Sequence, residues 1–138
     1  METNVKLNTG SLTPAQLDAL FFNLPLEVTF VDEHDVIRYY SDVKARIFGR
    51  SPDIIGKPVQ DCHSPSSLPM VNRILGAFRD GTKDSADFWR NHEGKFLHIR
   101  YIAARDKSGR YMGCLETVQD VTGIRALEGE RSQLDWPS

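Results

Sequence analysis

Cys62 and His63 stand side by side near the middle of the chain, and their types suggest the most chemistry. A neutral imidazole is a good ligand for iron, and a thiolate is a soft metal ligand. Adjacent side chains rarely reach the same metal, so His63 is the better candidate of the two. The structural alternative is that its ring makes a hydrogen bond that fixes the loop ahead of Pro65. The second cysteine, Cys114, is remote in sequence, and neither belongs to a CxxC pair. That argues against a disulfide framework and a four-thiolate zinc site, and for two reduced cysteines in a core. His34 and His92 fall in turn-like stretches, and His98 in a strand-like one. No HExxH, G-x-S-x-G or Gly-rich phosphate loop occurs. Asp84 and Asp87 are three apart in a strand-like run, which puts them on opposite faces. The expectation is a protein that performs no catalysis.

Strand alternation groups other candidates. Met112, Cys114 and Glu116 share one face of the last strand-like run. If that face lines a cavity, Glu116 is a polar contact inside an apolar pocket; otherwise the polar members face solvent. In the preceding run Leu97, Ile99 and Tyr101 form the more apolar face, opposite Phe96, His98, Arg100 and Ile102. Phe88 and Trp89 point opposite ways. An aromatic on the outer sheet face suits dimer packing.

These residues need elements to hold them. Thr13-Pro14-Ala15-Gln16 fits a capping box, and Leu12 with Leu17 a hydrophobic staple. Leu17, Leu20, Phe21 and Leu24 follow at helical spacing up to Pro25, predicting an amphipathic helix near 14–23. Residues 26–32 and 36–40 alternate as a hairpin around Glu33-His34-Asp35. Asp42 to Phe48 has room for two helical turns, and Gly49, Pro52, Gly56 and Pro58 then forbid a long element. Leu68, Val71, Ile74, Leu75 and Phe78 mark the buried side of a helix over about 66–80, with Gly81 as its C-terminal cap. Strands are expected near 84–91, 95–105 and 110–120. Beyond Thr122, Ile124, Leu127 and Leu134 form one apolar stripe on a helix too short to be stable alone.

The domain map that follows is a flexible 1–12, a folded 13–122 including the first helix, and an exit helix over 123–138. With 138 residues, 40% hydrophobic and 26% charged, the chain suits one ordinary globular domain. A net charge of −2, with Lys and Arg scattered among acids, gives no reason to expect nucleic acid. No apolar run approaches the roughly 18 residues of a membrane span. Met1 to Gly10 lack the hydrophobic core of a signal peptide. A cytoplasmic protein without membrane contact is expected.

In order, the elements are helix, two strands, short helices, a longer helix, three strands and an exit helix. Within them stand Val31-Asp32 with Val36-Ile37, Phe48-Gly49-Arg50-Ser51, Ile54-Ile55-Gly56-Lys57-Pro58-Val59 and Asp120-Val121-Thr122. This order and these marks resemble the PAS domain over roughly residues 14–136. Leu24 to Asp32, Cys62-His63, Asp87-Phe88-Trp89 and Arg125 to Arg131 resemble a bacterial subgroup often found C-terminal to hemerythrin-like domains. That subgroup usually has two prolines after the Cys-His pair; here Ser64 replaces the first. The chain contains no hemerythrin-like bundle, so di-iron chemistry is not carried over.

The resemblance implies an α+β fold: a five-stranded antiparallel sheet with helices on one face, plus the N-terminal amphipathic helix and a C-terminal signalling helix. A cavity between sheet and longer helix would hold haem, flavin, a small organic acid or nothing. Its expected contacts are Tyr40, His63, Met70, Ile99, Tyr101, Cys114 and Glu116, with His63 as the possible haem or metal ligand. Leu17, Leu20, Phe21, Ile124, Leu127 and Leu134 are the expected dimer interface. The function implied is a sensory module with a small-molecule ligand, a homodimeric state and a downstream signalling partner. A haem-based gas or redox sensor and a ligand-free dimerisation domain are the alternatives.

Overall fold

A computed structural model describes residues 3–43 and 46–138. The N-terminal segment, expected to be loose, forms a hairpin of β1 (Val5–Leu7) and β2 (Gly10–Leu12). Its brevity and polarity hid it from a periodicity argument. Helix α1 (Pro14–Asn23) begins as its sequence demands. The Thr13 hydroxyl accepts from the Gln16 N–H at 3.0 Å, and the Gln16 side chain accepts from the Thr13 N–H at 2.9 Å.

Strands β3 (Glu27–Asp32) and β4 (Ile37–Tyr40) make the first hairpin, with Arg38 as the extra residue of a bulge. Two 3-10 turns follow, Pro52–Ile54 and Val59–Cys62, and then helix α2 (Leu68–Asp80). Gly81 ends α2 at φ 82°, a conformation that costs a side-chain-bearing residue energy. Strands β5 (Ser85–His92), β6 (Lys95–Arg105) and β7 (Tyr111–Asp120) complete a five-stranded antiparallel sheet in the order β4-β3-β7-β6-β5. The last strand therefore lies in the middle, between β3 and β6.

The helical turns expected over Asp42 to Phe48 fall partly on residues 44–45, outside the described residues; those flanking them are not helical. The exit helix expected over 123–138 is limited to one turn, α3 (Thr122–Arg125). Leu127, Leu134 and Trp136 beyond it are at least 70% exposed. An apolar stripe facing water on so short a segment has nothing to stabilise its helix.

One face of the sheet carries α2 and the core. Val31, Ile37, Leu75, Phe78, Ala103 and Cys114 form one buried cluster. Two polar devices hold the loop over this face. The buried Glu27 carboxylate accepts from the backbone N–H of Ile47 and, at 3.1 Å, of Phe48. The fully buried Ser41 hydroxyl accepts from the Val28 N–H at 2.9 Å. The Asp35 carboxylate accepts from Arg79 of α2 and, at 3.1 Å, from Gln60 of the second 3-10 turn, tying three segments together.

Candidate functional site

A cavity of about 810 Å³ lies between the inner sheet face, α2 and the loop over residues 49–63. Its floor follows from strand register. Glu116 of β7 is paired with Thr29 of β3 on one side and Tyr101 of β6 on the other. Side chains opposite one another in a sheet share a face. These three therefore form a polar row, and all of them line the cavity. The next row toward the core, Val31, Cys114 and Ala103, is apolar and buried. From α2, Met70, Val71, Ile74 and Leu75 supply an apolar wall. The loop supplies Arg50, Ile54, Lys57, Val59 and His63.

Arg50 crosses from the loop to the floor. Its Nη2 donates to Glu116 Oε1 at 3.2 Å, and both side chains are largely buried. Burial, and then the adjacent Glu116 carboxylate, push the Tyr101 hydroxyl well above its ordinary pKa, so it stays protonated and able to donate. Burial is also the main cause pushing the Cys114 thiol up to about 12, with Glu116 and Asp35 adding to it. Cys114 is thus an inert wall residue, not a nucleophile.

His63 is held by its own turn, with Nδ1 3.0 Å from the Val59 carbonyl oxygen. A carbonyl can only accept, so Nδ1 carries the proton and the neutral ring keeps its lone pair on Nε2. The structural hydrogen bond weighed for this residue is therefore present, and the ring still lines the cavity. Among the described residues, no group of three or more His, Cys, Asp and Glu is placed to hold a metal ion.

Of the anticipated contacts, His63, Met70, Tyr101, Cys114 and Glu116 are among the residues that line the cavity. Tyr40 and Ile99 are not. The Arg46 guanidinium lies 5.2 Å from the centre of the Tyr40 ring, which sits on edge strand β4 beyond Thr29. Ile99 falls one row past Tyr101, opposite Phe88, where the cavity has ended. Alternation also fails at Met112. A bulge makes it the extra residue of β7, so Tyr111 takes the inward position and packs against the core. Arg50, Thr29 and Lys57 were missed. No local pattern links Arg50 to a carboxylate 66 positions away. Thr29 was visible only as a polar residue in an alternating strand.

On the outer face, Phe21 of α1 leans on Tyr39 with ring centres 5.2 Å apart, and Leu17 is half-buried. Leu20, Ile124, Leu127 and Leu134 are exposed. Trp89 points outward and is 65% exposed, whereas Phe88 meets Tyr101 edge-on.

The sheet order, with the final strand central and a helix closing a cavity over one face, agrees with the comparison of the sequence to known families. A family model described as PAS domain matches residues 17–122. The chain belongs to the PAS family. The crystal structure of a C-terminal domain from Streptococcus mutans is similar to this PAS domain at 34% identity and a TM-score of 0.86, covering 92% of this chain and 98% of that one. The PAS domain of BvgS from Bordetella pertussis is 16% identical, with a TM-score of 0.58 and coverage of 78% and 85%. A sensory box sensor histidine kinase from Vibrio cholerae is 16% identical, with a TM-score of 0.53 and coverage of 78% and 90%. The last two show a shared fold. No curated protein matches the chain. Among the described residues of this PAS domain, no helix is long and apolar enough to cross a membrane.

Proposed function

We propose that this PAS domain is a sensory module that binds a small molecule in the cavity, performs no catalysis, and passes the occupancy state to a partner protein or domain. The cavity itself carries the reading. Its volume of about 810 Å³ lies within the range of roughly 300–1,000 Å³ common for small-ligand sites. Apolar walls and a few convergent polar groups are the composition such sites have. The sensory box histidine kinase of similar fold supports a role in signalling. A ligand-free dimerisation domain would have little use for this space.

The output path starts at Glu116. It lies on the central strand, four residues before Asp120, whose carboxylate accepts from the Thr122 N–H at 3.0 Å. The Thr122 hydroxyl in turn accepts from the Phe96 N–H at 2.8 Å. A ligand that favours one position of β7 thereby favours one docking of α3 and the tail, which is the differential binding a switch requires. A homodimer formed through the exposed side of α1 and the Ile124, Leu127 and Leu134 stripe would carry that change. Native mass spectrometry of purified protein tests the proposal. A retained small molecule that is lost from a cavity-filling Ile74→Trp variant supports it; an unliganded mass throughout removes it.

The anchored imidazole favours a second reading, haem with His63 as the protein ligand. A metal-bound histidine commonly donates its other ring N–H to a carbonyl, as Nδ1 does to Val59 here. His63 would hold the iron through Nε2, and haem would supply gas or electron chemistry. Haem titration followed by absorbance decides it. A Soret band that persists unchanged in His63→Ala eliminates His63 as ligand.

A further inference from the structure

We infer that the cavity selects an apolar molecule with a neutral head group that both donates and accepts a hydrogen bond, a carboxamide or lactam, over an anion or a cation. This rests on the reading of the cavity as a ligand site. Its basis is the ion pair built into the floor. Arg50 and Glu116 meet through one nitrogen and one oxygen, not the two-pronged arrangement these groups can form. Each keeps hydrogen-bonding capacity: further N–H donors on the guanidinium, further lone pairs on the carboxylate. Thr29 and Tyr101 flank Glu116 in the same row; the Thr29 hydroxyl can donate or accept, and the Tyr101 hydroxyl, hydrogen-bonded to Glu116, keeps lone pairs that accept. The rest of the enclosure, from Val31 to Ile74, is mainly apolar.

Charge decides among head groups. A carboxylate ligand drawn to the spare N–H donors of Arg50 would sit beside Glu116, a like charge on a mostly enclosed floor. Two like charges side by side in a partly enclosed site repel, and the ion pair can compensate only one of them. An ammonium ligand drawn to Glu116 would meet Arg50 in the same way. Of the remaining polar lining groups, Lys57 and Asp61 are exposed and opposite in sign, and His63, whose Nδ1 donates to Val59, offers Nε2 as an acceptor that an amide N–H can use and a carboxylate cannot. A neutral amide leaves the pair intact: its N–H donates to the carboxylate and its carbonyl accepts from the guanidinium. The apolar tail then lies along α2, where burial supplies the affinity.

Three probes of equal chain length separate these cases: octanamide, octanoate and octylammonium, titrated at neutral pH into the full chain and followed by amide chemical shifts. Octanamide should bind about ten-fold more tightly than either ion, with shifts centred on residues 101 and 116. In Glu116→Gln, octanoate should gain on octanamide because the repelling charge is gone. In Arg50→Gln, octylammonium should gain for the mirror reason, which gives a second arm if one variant folds poorly. Either ion binding the wild type as tightly as the amide overturns the inference. If none of the three binds while native mass spectrometry still finds a retained molecule, the head-group assignment falls alone. If the protein also proves empty there, the ligand-site reading falls with it.

Discussion

Cys114 and Glu116 stand two residues apart on one face of one strand, yet they take different roles because of what lies above them. Cys114 is under α2 in the apolar cluster, while Glu116 is under a loop that supplies a guanidinium. Thiol chemistry reports the difference. Cys62 is exposed and Cys114 is buried. Treatment of native protein with a disulfide reagent at pH 8 should modify Cys62 rapidly and Cys114 only on unfolding; two equally fast thiols would contradict the placement. Asp32 offers a pH test. Burial alone would raise its carboxyl, but hydrogen bonds from Arg38 and from the Val36 and His34 N–H groups outweigh this and hold the pKa below its ordinary value. A depressed folded-state pKa means that its stabilisation is complete above the unfolded value and is lost as pH falls through the folded one. Stability measured by urea unfolding should therefore decline below about pH 4, and Asp32→Asn should flatten part of that decline.

At the scale of elements, the inner face depends on the bulge in β7. Gly113 has φ 150°, and a Cβ there would lie 2.1 Å from the Val31 carbonyl oxygen and 2.8 Å from Phe30 Cζ. Gly113→Ala should destabilise the fold by roughly 2–4 kcal/mol, since backbone in the central pair of strands must move. A denaturant midpoint equal to wild type would show that the strand pair absorbs the methyl group freely. Helix α1 is a gentler case. Removing its reciprocal cap in Thr13→Ala should cost about 1 kcal/mol, seen as faster hydrogen exchange of amides in α1 rather than in β7. Only one of these two features was legible beforehand. The capping box and staple announced α1 within six residues, Leu12 to Leu17. The bulge was invisible, because it exists only as a mismatch between β6 and β7, and alternation alone therefore put Met112 on the wrong face.

For the molecule as a whole, the proposed homodimer makes a prediction about mass in solution. Leu20 at 52% exposure and Leu127 at 75% are expensive to leave in water. Light scattering should give a dimeric mass for the full chain, and Leu20→Glu with Leu127→Glu should shift it toward the monomer. A dimer unaffected by both changes would place the interface elsewhere, with the exposed Trp89 face next to examine.

Local sequence was enough for α1, α2, the β3–β4 hairpin and the three long strands, because caps, turns and hydrophobic periods act over a few residues. It was also enough to mark His63, Met70, Tyr101, Cys114 and Glu116 as candidates, since type and alternation are local properties. Only the tertiary structure decided that Thr29, Glu116 and Tyr101 share a row, that Arg50 reaches Glu116, and that Tyr40 and Ile99 lie outside the cavity. Register between strands and contact between loop and sheet depend on how distant segments pack, and short-range pattern carries no record of that.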